Sequence, residues 1–197
     1  MKNPTTRQLF DYWNAKRGRA AAPDRSLIAP GDIRELLPLT FIISCEEQSE
    51  FQFRLAGSQV CGLFGRELRG SSMLDLFAVP QRRATSQMLR PVATEAMGLV
   101  CAVGGWTGDM KHAALEMILL PLVHNGVVGG RALGALSPMT TKAWMGAQPI
   151  EELICGSLRY LRSGSATMRL MRPSADPLPL RPGRARGALT IHDGGRL

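Results

Sequence analysis

The stretch FQFRLAGSQVCGLFGRELRG, residues 51–70, decides the fold of this chain. Apolar and polar side chains alternate at its start, which predicts a short strand with Phe51, Phe53 and Leu55 on one face. A Gly-Ser pair then breaks the strand and begins a short helix that ends at Phe64. This order indicates a pocket beneath a curved sheet. Because the stretch holds no obvious catalytic group, it favours a sensing or docking module over an enzyme.

Two further helices are predicted outside this stretch. Residues 5–17 form an amphipathic helix that Thr5 or Thr6 caps. A longer helix covers about residues 80–98. Pro91 lies inside it, and since proline removes a backbone donor, the helix is expected to kink or to split in two there.

Runs of apolar and β-branched residues predict the strands of one antiparallel sheet. Asn125 and Gly126 lie between two such runs and give a strong hairpin signal. Residues 150–162 fit either a last strand or a short helix. The five predicted strands are residues 39–45, 51–56, 99–106, 113–123 and 127–136. The sequence therefore predicts an α+β fold: a five-stranded antiparallel sheet with short helices on one face and an N-terminal helix.

Composition divides the chain into three parts. Residues 1–38 form an N-terminal helical region, residues 39–170 the main domain and residues 171–197 a tail. The tail holds five Arg and two Asp among many Pro and Gly, so it is predicted to be a disordered basic segment. It supplies +3 of a formal net charge of +8, a balance that attracts nucleic acid, anionic lipid or acidic protein.

The cysteines and the N-terminus bear on location. The four cysteines are far apart in sequence and form no CxxC pair, which favours buried thiols in a reducing compartment. The N-terminus lacks an apolar signal core, and no run approaches the roughly 18 apolar residues of a membrane span. We therefore expect a cytoplasmic protein with no membrane contact.

Three motifs give the chain a family resemblance. Together they cover roughly residues 7–137. They are Leu9, Tyr12 and Trp13 followed by Lys16-Arg17-Gly18, Pro23-Asp24-Arg25-Ser26 and Pro30; Asp32-Ile33 with Leu36-Leu37-Pro38; and Phe53-Arg54-Leu55-Ala56-Gly57 leading to Gly65-Arg66-Glu67-Leu68-Arg69-Gly70. On these residues and on the order of its elements, the chain resembles PAS sensor domains, and in particular a proteobacterial PAS-like family long classed as a domain of unknown function. The resemblance implies a regulatory sensory fold without known chemistry.

PAS-like domains can hold haem, flavin or small metabolites, and the sequence can be checked for each. Haem needs an axial ligand, most often His, and no His precedes His112. A flavin–thiol photosensor needs a reactive Cys in the pocket helix. Cys61 lies in that helix, but its neighbours Val60, Gly62 and Leu63 offer no Asn or Gln group for the ring, so a buried inert thiol is favoured. The sequence thus identifies no cofactor and no metal site.

Two sets of residues are the candidate sites. Glu116 is open to two interpretations: it faces the pocket with a raised pKa, or it lies on the solvated face of a half-buried strand, which is favoured. Arg66 either clamps an anionic group or bonds the carbonyls of the short helices, with the structural role slightly favoured. The pocket candidates are Phe53, Leu55, Val60, Phe64, Arg66 and Glu116. The homodimer interface candidates are Leu9, Tyr12 and Trp13, with Trp13 equally suited to cover the chain's own sheet.

The leading hypothesis for function is a non-enzymatic sensory or regulatory module that binds a small ligand or a protein partner in signal transduction. It would act through a homodimer built with the N-terminal helix. A second hypothesis is a nucleic-acid-associated regulator that uses the basic tail, although the sequence shows no helix-turn-helix or aromatic platform. A third is a small pocketed α+β enzyme with Glu116 as its base.

Overall fold

A computed structural model of the chain describes residues 1–46 and 51–161. Its strands are β1 (Thr40–Ser44), β2 (Phe53–Ala56), β3 (Gly98–Trp106), β4 (His112–His124), β5 (Val127–Pro138) and β6 (Glu152–Leu161). They form one sheet in the order β2-β1-β5-β4-β3-β6, in which every neighbouring pair is antiparallel. Its α-helices are α1 (Pro4–Arg17), α2 (Ser58–Phe64) and α3 (Arg82–Thr94), joined by short 3₁₀ turns.

The predicted α+β class is confirmed, and the sheet has a sixth strand. Residues that fitted either a strand or a helix form β6, which pairs with β3 at the edge of the sheet. The pattern alone was ambiguous because β6 follows strict alternation only in part: a register shift near Gly156 interrupts its pairing with β3. The tail predicted for residues 171–197 lies outside the described residues.

The chain crosses one face of the sheet between β2 and β3. Because β2 lies at one edge and β3 next to the other, this connection must span the sheet, and it carries α2, two 3₁₀ turns and α3. We call this side the inner face. Buried side chains from α2, α3 and all six strands form one core cluster there.

The opposite side, which we call the outer face, is covered by the N-terminal region. Leu9 and Trp13 of α1 form a second core cluster with Ile118 and Leu120 of β4. The central strand β4 is therefore buried on both faces, which explains why its sequence is almost continuously apolar.

Two helix details differ from the predictions. The cap of α1 is Asn3, whose side chain accepts a hydrogen bond from the Thr5 N–H at 2.9 Å, and not Thr5 or Thr6. Pro91 does not split α3, which continues one turn beyond it to Thr94. The helix ends soon after Pro91, where the Pro91 carbonyl accepts the N–H groups of both Glu95 and Met97.

An irregularity in β2 changes the direction of one predicted pocket side chain. Ile43 pairs with Phe53, whereas the preceding Ile42 pairs with Leu55, so Arg54 is an extra residue opposite β1. Such a bulge shifts the alternation of side chains by one position. Phe53 therefore faces inward with Ile43, and Leu55 shares the side of Ile42.

Candidate functional site

The candidate site lies between the inner face and α2. The turn that leads from β2 into α2 requires glycine, because a Cβ on Gly57 would lie 2.1 Å from the Leu37 carbonyl oxygen. At its other end α2 stops at Gly65, which has a left-handed φ of 62°. The helix thus begins against the turn at Leu37–Leu39, and near its end the Leu63 carbonyl accepts the Ile150 N–H at 2.7 Å. Val60, Leu63 and Phe64 are its buried residues.

The structure brings three of the six predicted pocket residues together. Phe53, Val60 and Phe64 all belong to the inner core cluster. The Phe53 ring packs edge-on against Phe41, with 5.5 Å between ring centroids. Phe41 in turn lies over Gly134, where a Cβ would come within 2.3 Å of its ring. This part of the inner face is apolar and closely packed.

Leu55 does not belong to this group, and the prediction that it lines the pocket is wrong. The bulge at Arg54 places it on the outer side, and it is 45% exposed. Simple alternation from Phe51 predicted the opposite direction because one extra residue in a strand reverses every later side chain.

Glu116 does not line the pocket either. It pairs with Ser137 and lies on the outer face, so neither sequence interpretation holds fully: it faces away from the pocket, yet it is buried with 6% exposure. Its carboxylate accepts hydrogen bonds from the backbone N–H groups of Lys2 and Asn3, at 2.9 Å and 3.0 Å, and from the Thr6 hydroxyl. It therefore fixes the start of α1 to the sheet.

The surroundings of Glu116 set its charge. Burial is the largest single effect and acts to raise the pKa, but the hydrogen bonds from Thr6, Lys2 and Asn3 outweigh it. The pKa of Glu116 is therefore lowered, because all three bonds favour the charged form. A carboxylate held in this way is a poor general base.

Arg66 is exposed in the loop after α2. The order in this loop comes from its neighbour Glu67, whose carboxylate accepts the N–H groups of Leu68 and Arg69 at 2.9 Å and 3.0 Å. The Gly-Arg-Glu-Leu-Arg-Gly motif therefore builds a tight turn at the surface, and Arg66 does not point into the inner core cluster.

The predicted dimer residues are used within the chain. Leu9 is fully buried and Trp13 is 3% exposed, and the Trp13 indole N–H donates to the Pro121 carbonyl at 2.8 Å. The Tyr12 hydroxyl accepts the Ala29 N–H at 2.9 Å. Leu9 and Trp13 thus cover the chain's own sheet, and the prediction that they form a dimer interface is wrong for α1 in this position.

Polar groups that the sequence analysis missed lie where α3 meets β6. The Cys155 N–H donates to the Gln81 side chain at 3.2 Å, and Thr85 is buried beside the Cys155 thiol. A hydrogen bond with Cys155, together with burial, raises the pKa of the Cys101 thiol. These residues give an otherwise apolar inner face a few polar contacts. No local sequence signal marked Gln81 or Thr85, because their contact with Cys155 joins segments about 70 residues apart in the chain.

Neither haem nor a thiol-linked flavin fits the inner-face residues. His112 lies beside the Trp106 ring, with 4.6 Å between centroids, on the strand side that carries Glu116. Cys61 is half-buried at the surface side of α2, and its thiol lies 3.5 Å from the Glu67 carboxylate. Burial is the main effect that raises the pKa of Cys61, which disfavours a reactive thiolate.

A cavity of about 480 Å³ lies at the surface, between the turn at Met73–Leu76 and α3. It is lined by Ser72, Leu74, Asp75, Arg82, Arg83, Ser86, Gln87 and Arg90. The sequence analysis did not single out these arginines. The sequence signal for the cavity was the spacing of Arg82, Arg83 and Arg90, because residues seven or eight positions apart lie on the same face of a helix.

Two further features of the described residues bear on other kinds of site. Within residues 1–46 and 51–161, no group of three or more His, Cys, Asp or Glu side chains is placed to hold a metal ion. None of the helices in the same part of the chain has the length and apolar character that a membrane crossing demands.

A family model described as a PAS domain matches residues 1–137. The comparison with curated proteins gave no match.

Among solved structures, the chain is similar to the dark state of the LOV domain of the blue-light photoreceptor Aureochrome1, with a TM-score of 0.45 and 15% identity over 60% of this chain and 86% of that one. It is similar to a LOV protein of Rhodobacter sphaeroides, with a TM-score of 0.44 and 12% identity over 70% of each chain. A PAS domain from Colwellia psychrerythraea gives 0.39 and 13% over 57% of this chain and 98% of that one. These structural similarities concern the fold alone, and only the family match supports an argument about function.

Proposed function

This chain belongs to the PAS domain family, whose members are sensory signalling modules, and we propose that it senses a small ligand between the inner face of its sheet and the helices that cross it. The observation that carries the proposal is the family match over residues 1–137, which includes α2, α3 and five of the six strands. We propose no enzymatic role for it.

The inner face supports a ligand of mixed character. Phe53, Val60 and Phe64 supply apolar contact, and Gln81 and Thr85 supply a few polar groups. Small-molecule sites in proteins have this composition, with a mainly apolar lining and a small number of placed polar groups. We therefore propose an uncharged or weakly polar metabolite.

The path from ligand to signal runs through β4. Its inner side chains, such as Met117, belong to the ligand-side core, and the adjacent Glu116 holds the start of α1 on the other face. A ligand that favours one position of β4 would thereby shift the balance between two positions of α1. We propose that α1 passes this shift to a protein partner or to a second copy of the chain.

The homodimer and the cytoplasmic location remain predictions. Burial of Leu9 and Trp13 means that a dimer formed by this structure uses other surfaces, and sedimentation of the full chain measures whether one forms at all. The cytoplasmic location rests on the cysteines, and all four are free thiols in the structure.

The rival functions gain less support from the described residues. An enzyme with Glu116 as its base is disfavoured because hydrogen bonds hold that carboxylate charged and its position is remote from the inner face. The nucleic-acid hypothesis depended on the tail at 171–197, which lies outside the described residues, so the structure adds nothing in its favour.

The proposal is tested on the full chain. Native mass spectrometry and an absorbance scan identify any molecule that co-purifies, and thermal unfolding with a metabolite panel identifies ligands that stabilise the fold. Thr85→Val should weaken binding at least fivefold, because it removes a buried hydroxyl from the inner face. Thr94→Val, on the exposed end of the same helix, is the matched control.

A stabilising ligand that loses affinity in Thr85→Val but keeps it in Thr94→Val supports the proposal. A chain that carries no bound molecule and whose melting temperature no panel member raises contradicts it. Equal affinity in both variants also contradicts the site.

A further inference from the structure

The surface cavity against α3 has a positive charge that the fold does not balance. Three guanidinium groups border it, Arg82, Arg83 and Arg90, against one carboxylate, Asp75. Asp75 pairs with Arg82 at 3.0 Å. Within the described part of the chain, Arg83 and Arg90 make no ion pair.

Arg82, one of the residues that line this cavity, is held in place. Besides its ion pair, its Nε donates to the Phe77 carbonyl at 3.2 Å and its terminal nitrogen donates to the Asp75 carbonyl at 3.3 Å. A guanidinium fixed by three contacts loses little conformational freedom when it meets a ligand. The turn that carries Asp75 is itself ordered, because the Ser72 hydroxyl accepts the Leu74 N–H.

The first turn of α3 opposes the usual charge preference of helices. Negative side chains are favoured near a helix N-terminus and positive ones are disfavoured, because the free N–H groups there carry partial positive charge. The helical segment begins with a 3₁₀ turn at Val79–Gln81, whose Val79 carbonyl accepts the Arg82 N–H, and the first turn of α3 that follows holds Arg82 and Arg83 and no acidic residue. Placing two positive side chains at the start of a helix lowers local stability, and proteins accept such a loss mainly at functional sites.

From these observations we infer that this cavity, the α3 groove, binds the phosphate group of a small phosphorylated molecule. Arg83 and Arg90 approach the phosphate oxygens, since guanidinium groups match that geometry with paired donors. Ser86 and Gln87 lie between them on the same helix face and supply neutral donors. An anion at this place offsets the unfavourable charge at the start of α3.

The size of the groove sets the kind of occupant. A volume of about 480 Å³ lies within the range of small-molecule sites, which is roughly 300–1,000 Å³. A nucleic acid strand instead requires an extended basic surface with aromatic side chains for the bases, and no aromatic residue lines this groove. The inference is independent of the inner-face ligand, because the two sites share none of the residues on which either depends.

The test uses the full chain with pyrophosphate and inorganic phosphate as probes. Backbone amide NMR shifts are followed in the wild type, in an Arg83→Gln/Arg90→Gln double variant, and in an Arg54→Gln/Arg66→Gln double variant. The last pair is the matched control, since both arginines are exposed but lie away from α3. Thermal unfolding of each variant checks that it folds.

We expect saturable shifts confined to residues 72–75 and 82–90, with pyrophosphate binding at least tenfold more weakly to the Arg83/Arg90 variant and unchanged in the control. Equal affinity in all three proteins, or shifts spread over other surfaces, would overturn the inference. A poly-dT oligonucleotide is tested for comparison. If the chain binds the oligonucleotide but shows no saturable binding of pyrophosphate, the inference is also overturned.

If the double variant fails to fold, the single Arg90→Gln variant, in the second half of α3, gives the same comparison.

Discussion

Glu116 shows how one buried carboxylate links the N-terminal region to the sheet. Its oxygens accept two backbone N–H groups and the Thr6 hydroxyl, so Glu116→Gln replaces a charged acceptor by one with fewer accepting positions. Hydrogen bonds to charged groups contribute about 1.5–3 kcal/mol each, so we expect the variant to lose roughly 2 kcal/mol of unfolding free energy at pH 7. Urea denaturation measures it.

The same residue predicts a pH dependence. Its pKa is lowered in the folded chain from an ordinary value of 4.5, so the unfolded chain takes up the proton first as the pH falls. The stabilisation is complete above the unfolded pKa and is lost as the pH falls through the folded pKa. The stability difference between wild type and Glu116→Gln should therefore shrink below about pH 4.5. A difference that grows in acid contradicts this assignment.

The packing around Gly134 leads to a prediction about the stability of the inner face. It pairs with Phe41 across β1 and β5, and an added methyl group would meet the Phe41 ring at 2.3 Å and the Ile118 carbonyl at 2.9 Å. Since close-packed cores tolerate overpacking poorly, Gly134→Ala should cost about 1–3 kcal/mol in chemical denaturation. Gly62→Ala, inside α2 with no atom within 4 Å, is the control and should be neutral or slightly stabilising. A Gly134 variant as stable as this control would show that Phe41 is free to move aside.

At the scale of elements, the sequence predicted what depends on local patterns. The Asn125-Gly126 hairpin is present, with both residues at positive φ, and the pocket candidates Val60 and Phe64 are buried residues of α2. What failed depends on pairing between distant segments. The direction of Leu55 is reversed by one unpaired residue in β2.

The position of Glu116 could not be read from its strand for a similar reason. The alternation of side chains along β4 predicts that Glu116 and Ile118 lie on the same side of the sheet. Which side contacts α1 depends on how residues 1–38 pack on the sheet. From the sequence alone, a carboxylate inside an apolar strand is interpreted either as a pocket group or as a solvated one. The third possibility, a buried anchor for backbone N–H groups, requires knowledge of a segment more than 100 residues away in sequence.

The docking of α1 is predicted to depend on Trp13. Its indole fills the outer core and donates to the Pro121 carbonyl, so Trp13→Ala leaves both a cavity and an unpaired carbonyl. We expect amides 5–17 to lose hydrogen-exchange protection by at least tenfold, while β3 and β4 keep theirs. Gln8→Ala, on the exposed side of α1, should leave protection unchanged. Uniform loss over the sheet in Trp13→Ala would show instead that α1 and the sheet unfold as one unit.

At the scale of the whole molecule, the two core clusters meet at one shared sheet. The inner cluster draws on all six strands and the outer cluster on β1, β3, β4, β5 and β6, so strand pairing connects the layers. Small domains with such a shared framework unfold in one transition. The last strand, β6, closes the edge beside β3 and ends at Leu161, which is buried against the outer cluster.

This arrangement makes a prediction about the three-part division of the chain. Within the described residues the core clusters extend to Leu161, and the high content of Pro, Gly and Arg in residues 171–197 predicts that this segment adds no buried surface of its own. A chain that ends at residue 170 should therefore unfold at the same urea concentration as the full chain, within about 0.5 kcal/mol, and with an equal dependence on denaturant. A chain that ends at residue 150 lacks β6 and is the control, which should lose cooperative unfolding because Leu153 and Cys155 leave the inner core. A loss of more than about 1 kcal/mol on removing residues 171–197 alone would mean that the tail packs on the folded domain, and the division at residue 170 would then be wrong.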